Sequence, residues 1–95
     1  MKFLVLNAER KLFEGVVSEV VLPGLDGEVT VMDDHEPLFL ALDRGLIRWR
    51  SSVQQTGIAQ VAGGAAARGF QAPKPILIRK GLARMRRNEL TILVE

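Results

Sequence analysis

Cysteine is absent from the 95-residue chain. That excludes disulfides, thiolate metal sites and thiol catalysis, and leaves stability to packing alone. It permits a cytosolic compartment without requiring one. Histidine occurs once, at His35, and with neither a second histidine nor a thiol the usual zinc spacings have no ligands to draw on. Long apolar runs are missing too. No stretch approaches the roughly 20 residues of a membrane span, and Phe3 to Leu6, the apolar run before Asn7, is too short for the core of a signal peptide. No amphipathic helix of convincing length is written into the chain. These gaps lead to the expectation of one soluble module, too small for an elaborate two-lobed enzyme.

What is present is lopsided in charge. The net charge is +2, yet residues 1 to 43 carry three Lys/Arg against nine acids (3 − 9 = −6), and residues 44 to 95 carry ten against two (10 − 2 = +8). Such asymmetry bears on partners, or on how the two halves attract each other.

The apolar residues fall in short runs rich in Val, Ile and Leu, punctuated by Gly, Asp, Asn and Pro, which is strand punctuation. Phe3 to Leu6 reads as a first strand, Ala8 to Lys11 as a turn, and Leu12-Phe13 as a short second strand. Val16 to Leu22 reads as the third, with Val16, Ser18, Val20 and Leu22 on its drier face. Pro23-Gly24 and Asp26-Gly27 are turn signals leading into Glu28 to Met32. Leu38 to Leu42 then runs to Asp43-Arg44-Gly45, after which Ile47 and Trp49 are expected inside and Arg48 and Arg50 in water. Residues 51 to 75, rich in Gly and Ala and closed by Pro73-Lys74-Pro75, read as a loop or loosely paired extension, with a strand at Gly57 to Ala62 and a short helix at Ala65 to Arg68 as the alternatives. Ile76 to Arg79, Leu82 to Arg86 and Leu90 to Val94 complete the count, with Asn88 at the last turn. Eight to ten short strands and no helix predict an all-β flattened sandwich or barrel formed by the whole chain as one domain.

The segment LPGLDGEVTVMDDHEPL, residues 22 to 38, concentrates five acids and the histidine. A metal site at Asp33, Asp34, His35 and Glu36 is disfavoured, because consecutive residues in an extended chain point to opposite sides. The basic second half raises a different reading, a small nucleic-acid-binding β module using Arg79, Lys80, Arg84, Arg86 and Arg87. Those residues lack interleaved aromatics for stacking, and the acidic first half would repel a polyanion. A hydrolase has no nucleophile with its base and no carboxylate pair to name. No catalytic, cofactor-binding or metal residue is assigned, and no small-molecule substrate is implied.

A third reading rests on a pattern. Phe13, Gly15, Val17, Val20, Leu22, Pro23, Gly24, Gly27 and Glu28, followed by His35, Pro37 and Leu38, resemble the epsilon subunit of rotary ATP synthases. Asp43-Arg44-Gly45 with Leu46-Ile47-Arg48 is similar to that family's turn before an isoleucine-bearing strand, and Gly81 to Met85 followed by Asn88 and Leu90 to Leu93 is similar to its closing segments. The matches cover residues 3 to 50 and 78 to 95, in the family's order. The resemblance implies a ten-stranded flattened sandwich at the foot of the central stalk, held by the gamma subunit and resting on the c-ring. It also implies a peripheral position on the cytoplasmic side of the membrane, a part in coupling ion flow to ATP chemistry, and no catalysis of its own. By the same likeness Pro23, Gly24, Leu25, Asp26, Gly27 and Glu28 form the c-ring-facing loop, with Glu28 as the acidic contact, while His35, Leu38 and Leu40 face gamma. Nucleic acid is not among the partners it implies. Three departures stand out. Ser51 to Pro75 is longer than the family's usual link, an atypical Gly/Ala-rich loop insertion around 51–75. Asp33-Asp34 replaces a Pro-Gly turn, which Asp-Asp can still make through side chain to backbone hydrogen bonds, and the chain ends where typical members continue into an inhibitory helical hairpin, a brake this subunit is therefore expected to lack.

Overall fold

The computed structural model describes residues 1–51 and 74–95. Within them the chain forms eight strands: β1 Lys2–Leu6, β2 Lys11–Gly24, β3 Gly27–Met32, β4 Leu38–Leu42, β5 Gly45–Ser51, β6 Ile76–Ile78, β7 Gly81–Arg86 and β8 Glu89–Val94. No described residue is helical. The all-β expectation holds. The two strands expected at Leu12-Phe13 and Val16 to Leu22 are one continuous strand of 14 residues, while the strand at Gly57 to Ala62 and the helix at Ala65 to Arg68 lie outside the described residues.

That long strand organises the molecule. Its first part pairs antiparallel with β1, from Leu6 opposite Lys11 to Lys2 opposite Val16. Its second part pairs with β3 on one side and β5 on the other. β1 also runs parallel to β8, β8 pairs with β7, β7 with β4, and β4 returns to β2 through Gly24 opposite Leu42. The path β1-β8-β7-β4-β2 thus closes on itself, giving a flattened barrel from which β3, β5 and β6 extend. Closure removes most unpaired strand edges.

Alternation places the core. Phe3 and Val5 of β1, Ile47 and Trp49 of β5, Ala83 and Met85 of β7, and Leu90 and Ile92 of β8 are buried, while Arg48, Arg50, Arg84 and Arg86 between them are exposed. Each fully buried Leu, Ile, Val, Phe or Met contributes about 1.5–3 kcal/mol. No polar or charged described residue is buried, so the core is specified by shape. Phe3, Phe13 and Trp49 form its aromatic part, with Phe13 and Trp49 ring centroids 4.6 Å apart and Phe3 lying 5.3 Å from Trp49. Buried Trp49 Nε1 finds no acceptor among the described residues.

Strand β2 departs from the expected faces at one point. Val20 and Leu22 are buried as expected, but Val16 is 56% exposed and Val17 fully buried. The cause is a bulge. Val17 lies opposite Ser51 and Glu19 opposite Arg50, so two steps on β2 match one on β5 and the inward phase shifts by one residue.

Candidate functional site

The β2–β3 hairpin is built by its glycines. Pro23 and Gly24, expected in the turn, are the last residues of β2, with Pro23 opposite Glu28 and Gly24 opposite Gly27. The turn is Leu25-Asp26. Neither has positive φ; Gly27 takes it instead, at 122°, a backbone region open to glycine and costly for residues with a side chain. The Asp-Gly signal therefore makes the turn, and Pro23 serves the strand end, where it needs no ladder donor. Its carbonyl accepts the Asp43 N–H at 2.8 Å, tying the β4–β5 turn to the hairpin. Gly45 completes this junction, since a Cβ there would stand 2.7 Å from Pro23 Cβ.

Leu25, Asp26, Gly27 and Glu28 are all exposed, Leu25 at 61%, whereas Gly24 is buried and Pro23 half-buried. The two acids of the hairpin differ. Glu28 Oε2 accepts a hydrogen bond from Arg48 Nη2 of β5 at 2.7 Å, so the expected acidic contact already has a cation. Asp26 has no side-chain partner among the described residues. Between the hairpin and the β4–β5 turn lies an open cleft of 520 Å³ whose rim carries Glu28, Arg44 and Arg48.

The β3–β4 turn lies at the opposite end of the barrel. Asp34 adopts φ 61°, and His35 N–H donates to Met32 O at 3.1 Å, so Asp-Asp does turn the chain in the manner of a type II turn with an acid in the glycine position. Asp34 N–H donates to Asn88 Oδ1 at 2.7 Å. Asp33 pairs with the Met1 amino group, which also donates to Val17 O. His35 is half-buried, and its Nδ1 lies 2.7 Å from Glu36 O, which fixes the proton on that nitrogen. Among the described residues, no three of His, Asp or Glu are grouped as metal ligands.

Leu38 and Leu40 are half-buried against the core, and the residue that β4 turns to solvent is Phe39, 72% exposed. Sequence reading passed over Phe39 because the whole run from Leu38 to Leu42 is apolar and carries no alternation. Phe39 stands opposite Arg84 of β7, and Leu82 is flanked by Ala41 and Leu93. With Leu82 and Leu93 about half exposed, this layer presents an apolar outer face. The described cations of the second half are divided between two layers and form no single stripe. Arg84 and Arg86 lie on β7, Arg48 and Arg50 on β5 and Arg79 and Lys80 in the β6–β7 turn, and Glu89 stands directly opposite Arg86.

Comparison with known proteins adds a family. Residues 1–68 match the family model described as ATP synthase, Delta/Epsilon chain, beta-sandwich domain. The chain is 35% identical over 94 residues to the chloroplastic ATP synthase epsilon chain of Thalassiosira pseudonana, covering 99% of this chain and 57% of that one. It is 34% identical over 94 residues to the ATP synthase epsilon chain of Rhodobacter capsulatus, covering 99% of this chain and 67% of that one. Among solved structures, the fold is similar to a chain in the central stalk/c-ring of Tetrahymena thermophila mitochondrial ATP synthase, with a TM-score of 0.67, 14% identity and coverage of 99% of this chain and 62% of that one. A chain of the Euglena gracilis mitochondrial ATP synthase gives a TM-score of 0.70 at 14% identity, covering 97% of this chain and 48% of that one.

Proposed function

Since the chain belongs to the ATP synthase delta/epsilon family, as its β-sandwich domain, we propose that it is a non-catalytic rotor subunit of a rotary ATP synthase or ATPase, joining the gamma subunit to the c-ring. It sits peripherally at the cytoplasmic face of the membrane and supports the coupling of ion transport to ATP chemistry. The observation that carries the reading is the exposed β2–β3 hairpin, held in place by Pro23, Asp43 and Gly45 and offering Leu25, Asp26 and Glu28 in the family's order. A short hairpin on a closed barrel is a rigid way to present charge to a partner. Asp26 meets the polar tips of the c-ring loops with a free carboxylate, and Glu28 does so by exchanging Arg48 for a cation of the ring. On the gamma side, Leu38 and Leu40 support the strand from beneath, Phe39 makes the apolar contact and His35 lies at its edge.

Co-purification with the gamma subunit of the same organism tests the assignment. A stoichiometric complex is expected from the wild type, and the same experiment on a chain lacking residues 57–72 reports whether that segment helps to hold gamma. If neither form binds gamma, the stalk assignment is wrong. For the hairpin, Asp26→Lys and Glu28→Lys are each expected to leave gamma binding intact and to weaken retention on membranes carrying the c-ring. Unchanged retention by both would remove the hairpin from the interface.

A further inference from the structure

We infer that the outer face of β5 and β6, together with the cleft beside the hairpin, is a docking surface for an anionic phospholipid bilayer. Leu46 and Leu77 stand directly opposite each other on these strands and are 44% and 67% exposed. Among the described residues the paired leucines have no cover comparable to that of Ile47, Ile76 and Ile78, which supply the inward side. Around them the charge is mostly positive. Arg44 and Arg79 each lie one residue beyond the Gly45–Ile78 pair that ends the ladder, with Lys80 following, and Arg48 lies two residues from Leu46 on the same face of β5. The acids at this place are Asp43, whose Oδ1 accepts from Arg44 N, Glu28, which is bonded to Arg48, and Glu95, whose N–H donates to Lys80 O at 3.0 Å. Four cations against three acids leave 4 − 3 = +1, and the side chains of Arg44, Arg79 and Lys80 form no ion pair among the described residues.

The chemistry of this face selects its occupant. A leucine pair framed by guanidinium and ammonium groups matches the headgroup layer of a membrane, which takes apolar side chains at the acyl boundary and cations at the phosphates. The 520 Å³ cleft between Arg44 and Arg48 has room for a phosphate headgroup, and Arg48 keeps donors free for it after bonding Glu28 through one nitrogen. A nucleic acid would use the cations and leave the leucines in water. This surface is distinct from the apolar outer face that carries Phe39, Leu82 and Leu93.

Flotation of the 95-residue chain with vesicles tests the inference. Binding is expected to vesicles of phosphatidylcholine with a quarter of phosphatidylglycerol, to be lost on phosphatidylcholine alone, and to fall as salt rises. Combining Arg44→Gln with Arg79→Gln should cost roughly 30-fold in partitioning, about fivefold for each cation lost near an anionic surface. Leu46→Ser with Leu77→Ser should weaken binding at unchanged charge. Arg84→Gln with Arg86→Gln, on the other layer, should leave it unchanged. Circular dichroism checks that each variant is folded, and gamma co-purification run in parallel keeps this inference separate from the stalk assignment. No flotation with anionic vesicles would overturn it. So would an equal loss from the Arg84/Arg86 pair, or retention of duplex DNA that is insensitive to the leucine substitutions.

Discussion

Asn88 gives the sharpest test of how the loops at one end of the barrel are held. It has φ 58° in the β7–β8 turn, next to Arg87 at 53°. Its Oδ1 accepts Asp34 N–H at 2.7 Å, and its carbonyl accepts Lys2 N–H at 3.0 Å. One residue therefore makes a hairpin turn, braces the β3–β4 turn and meets the first strand. Two costs separate on substitution. Placing alanine in a left-handed conformation costs about 1 kcal/mol, and losing a neutral hydrogen bond costs roughly 0.5–1 kcal/mol, toward the lower end here because Asp34 is exposed and water can replace the partner. Asn88→Ala should therefore lose about 1.5–2 kcal/mol, and Asn88→Gly, which keeps the turn, about 0.5–1 kcal/mol. Asn88→Asp, which keeps both the acceptor and tolerance of the left-handed region, should lose least. At roughly 4–8 °C per kcal/mol for a domain of this size, Asn88→Ala should melt about 6–16 °C lower when followed by far-ultraviolet circular dichroism. If Asn88→Gly were as damaging as Asn88→Ala, or Asn88→Asp worse than Asn88→Gly, the division into turn and brace would be wrong.

Three further outcomes follow from the packing and the charges. Phe3→Ala empties a fully buried position against Phe13 and Trp49 and should cost about 3–5 kcal/mol, read by urea unfolding with Trp49 fluorescence; a loss under about 1 kcal/mol would refute the aromatic core. Arg48→Gln breaks the Glu28 pair, but both side chains are at least half exposed, so stability should change by less than about 1 kcal/mol in the same assay, and a larger change would mean the pair holds the hairpin. A hydrogen bond from Lys11, reinforced by its charge, holds the Glu14 carboxyl below its usual 4.5. Because this folded-state value is depressed, any stabilisation by the pair is present at neutral pH and fades as pH falls through it; carboxyl NMR should find Glu14 titrating below 4.5, and Lys11→Met should move it back up.

What could be read in the sequence was local. The alternation of Ile47 and Trp49 with Arg48 and Arg50 depends only on the two-residue period of a strand, and the structure has it. That Asp33-Asp34 turns the chain was legible, but its means was not: in place of the expected side chain to backbone hydrogen bonds, the turn rests on the left-handed backbone of Asp34 and the bond from His35 N–H to Met32 O. The exchange of Val16 for Val17 was not, because the bulge that causes it is set by the register of β5 against β2, some thirty residues away in sequence. Pro23-Gly24 misled for a related reason: a turn signal was present twice, and only pairing across the hairpin decides which pair of residues sits at the bend. At the candidate site, the acidic hairpin was evident from its residues, but the Arg48 partner of Glu28 comes from another strand and Phe39 was hidden inside an unbroken apolar run.

The parallel pairing of β1 with β8 governs the order in which the chain can be completed on a ribosome. Lys2 lies opposite Glu89, a separation of 89 − 2 = 87 residues, so β1 can form its hairpin with β2 early but lacks its second neighbour until almost all of the described chain has been made. Phe3 and Val5, fully buried at the end, spend that interval with one flank unfinished. Helical chains close their contacts as they emerge; this barrel closes with nearly its last strand. Until β8 emerges the nascent domain thus carries an open, apolar-sided edge, and that interval is when it most needs shielding.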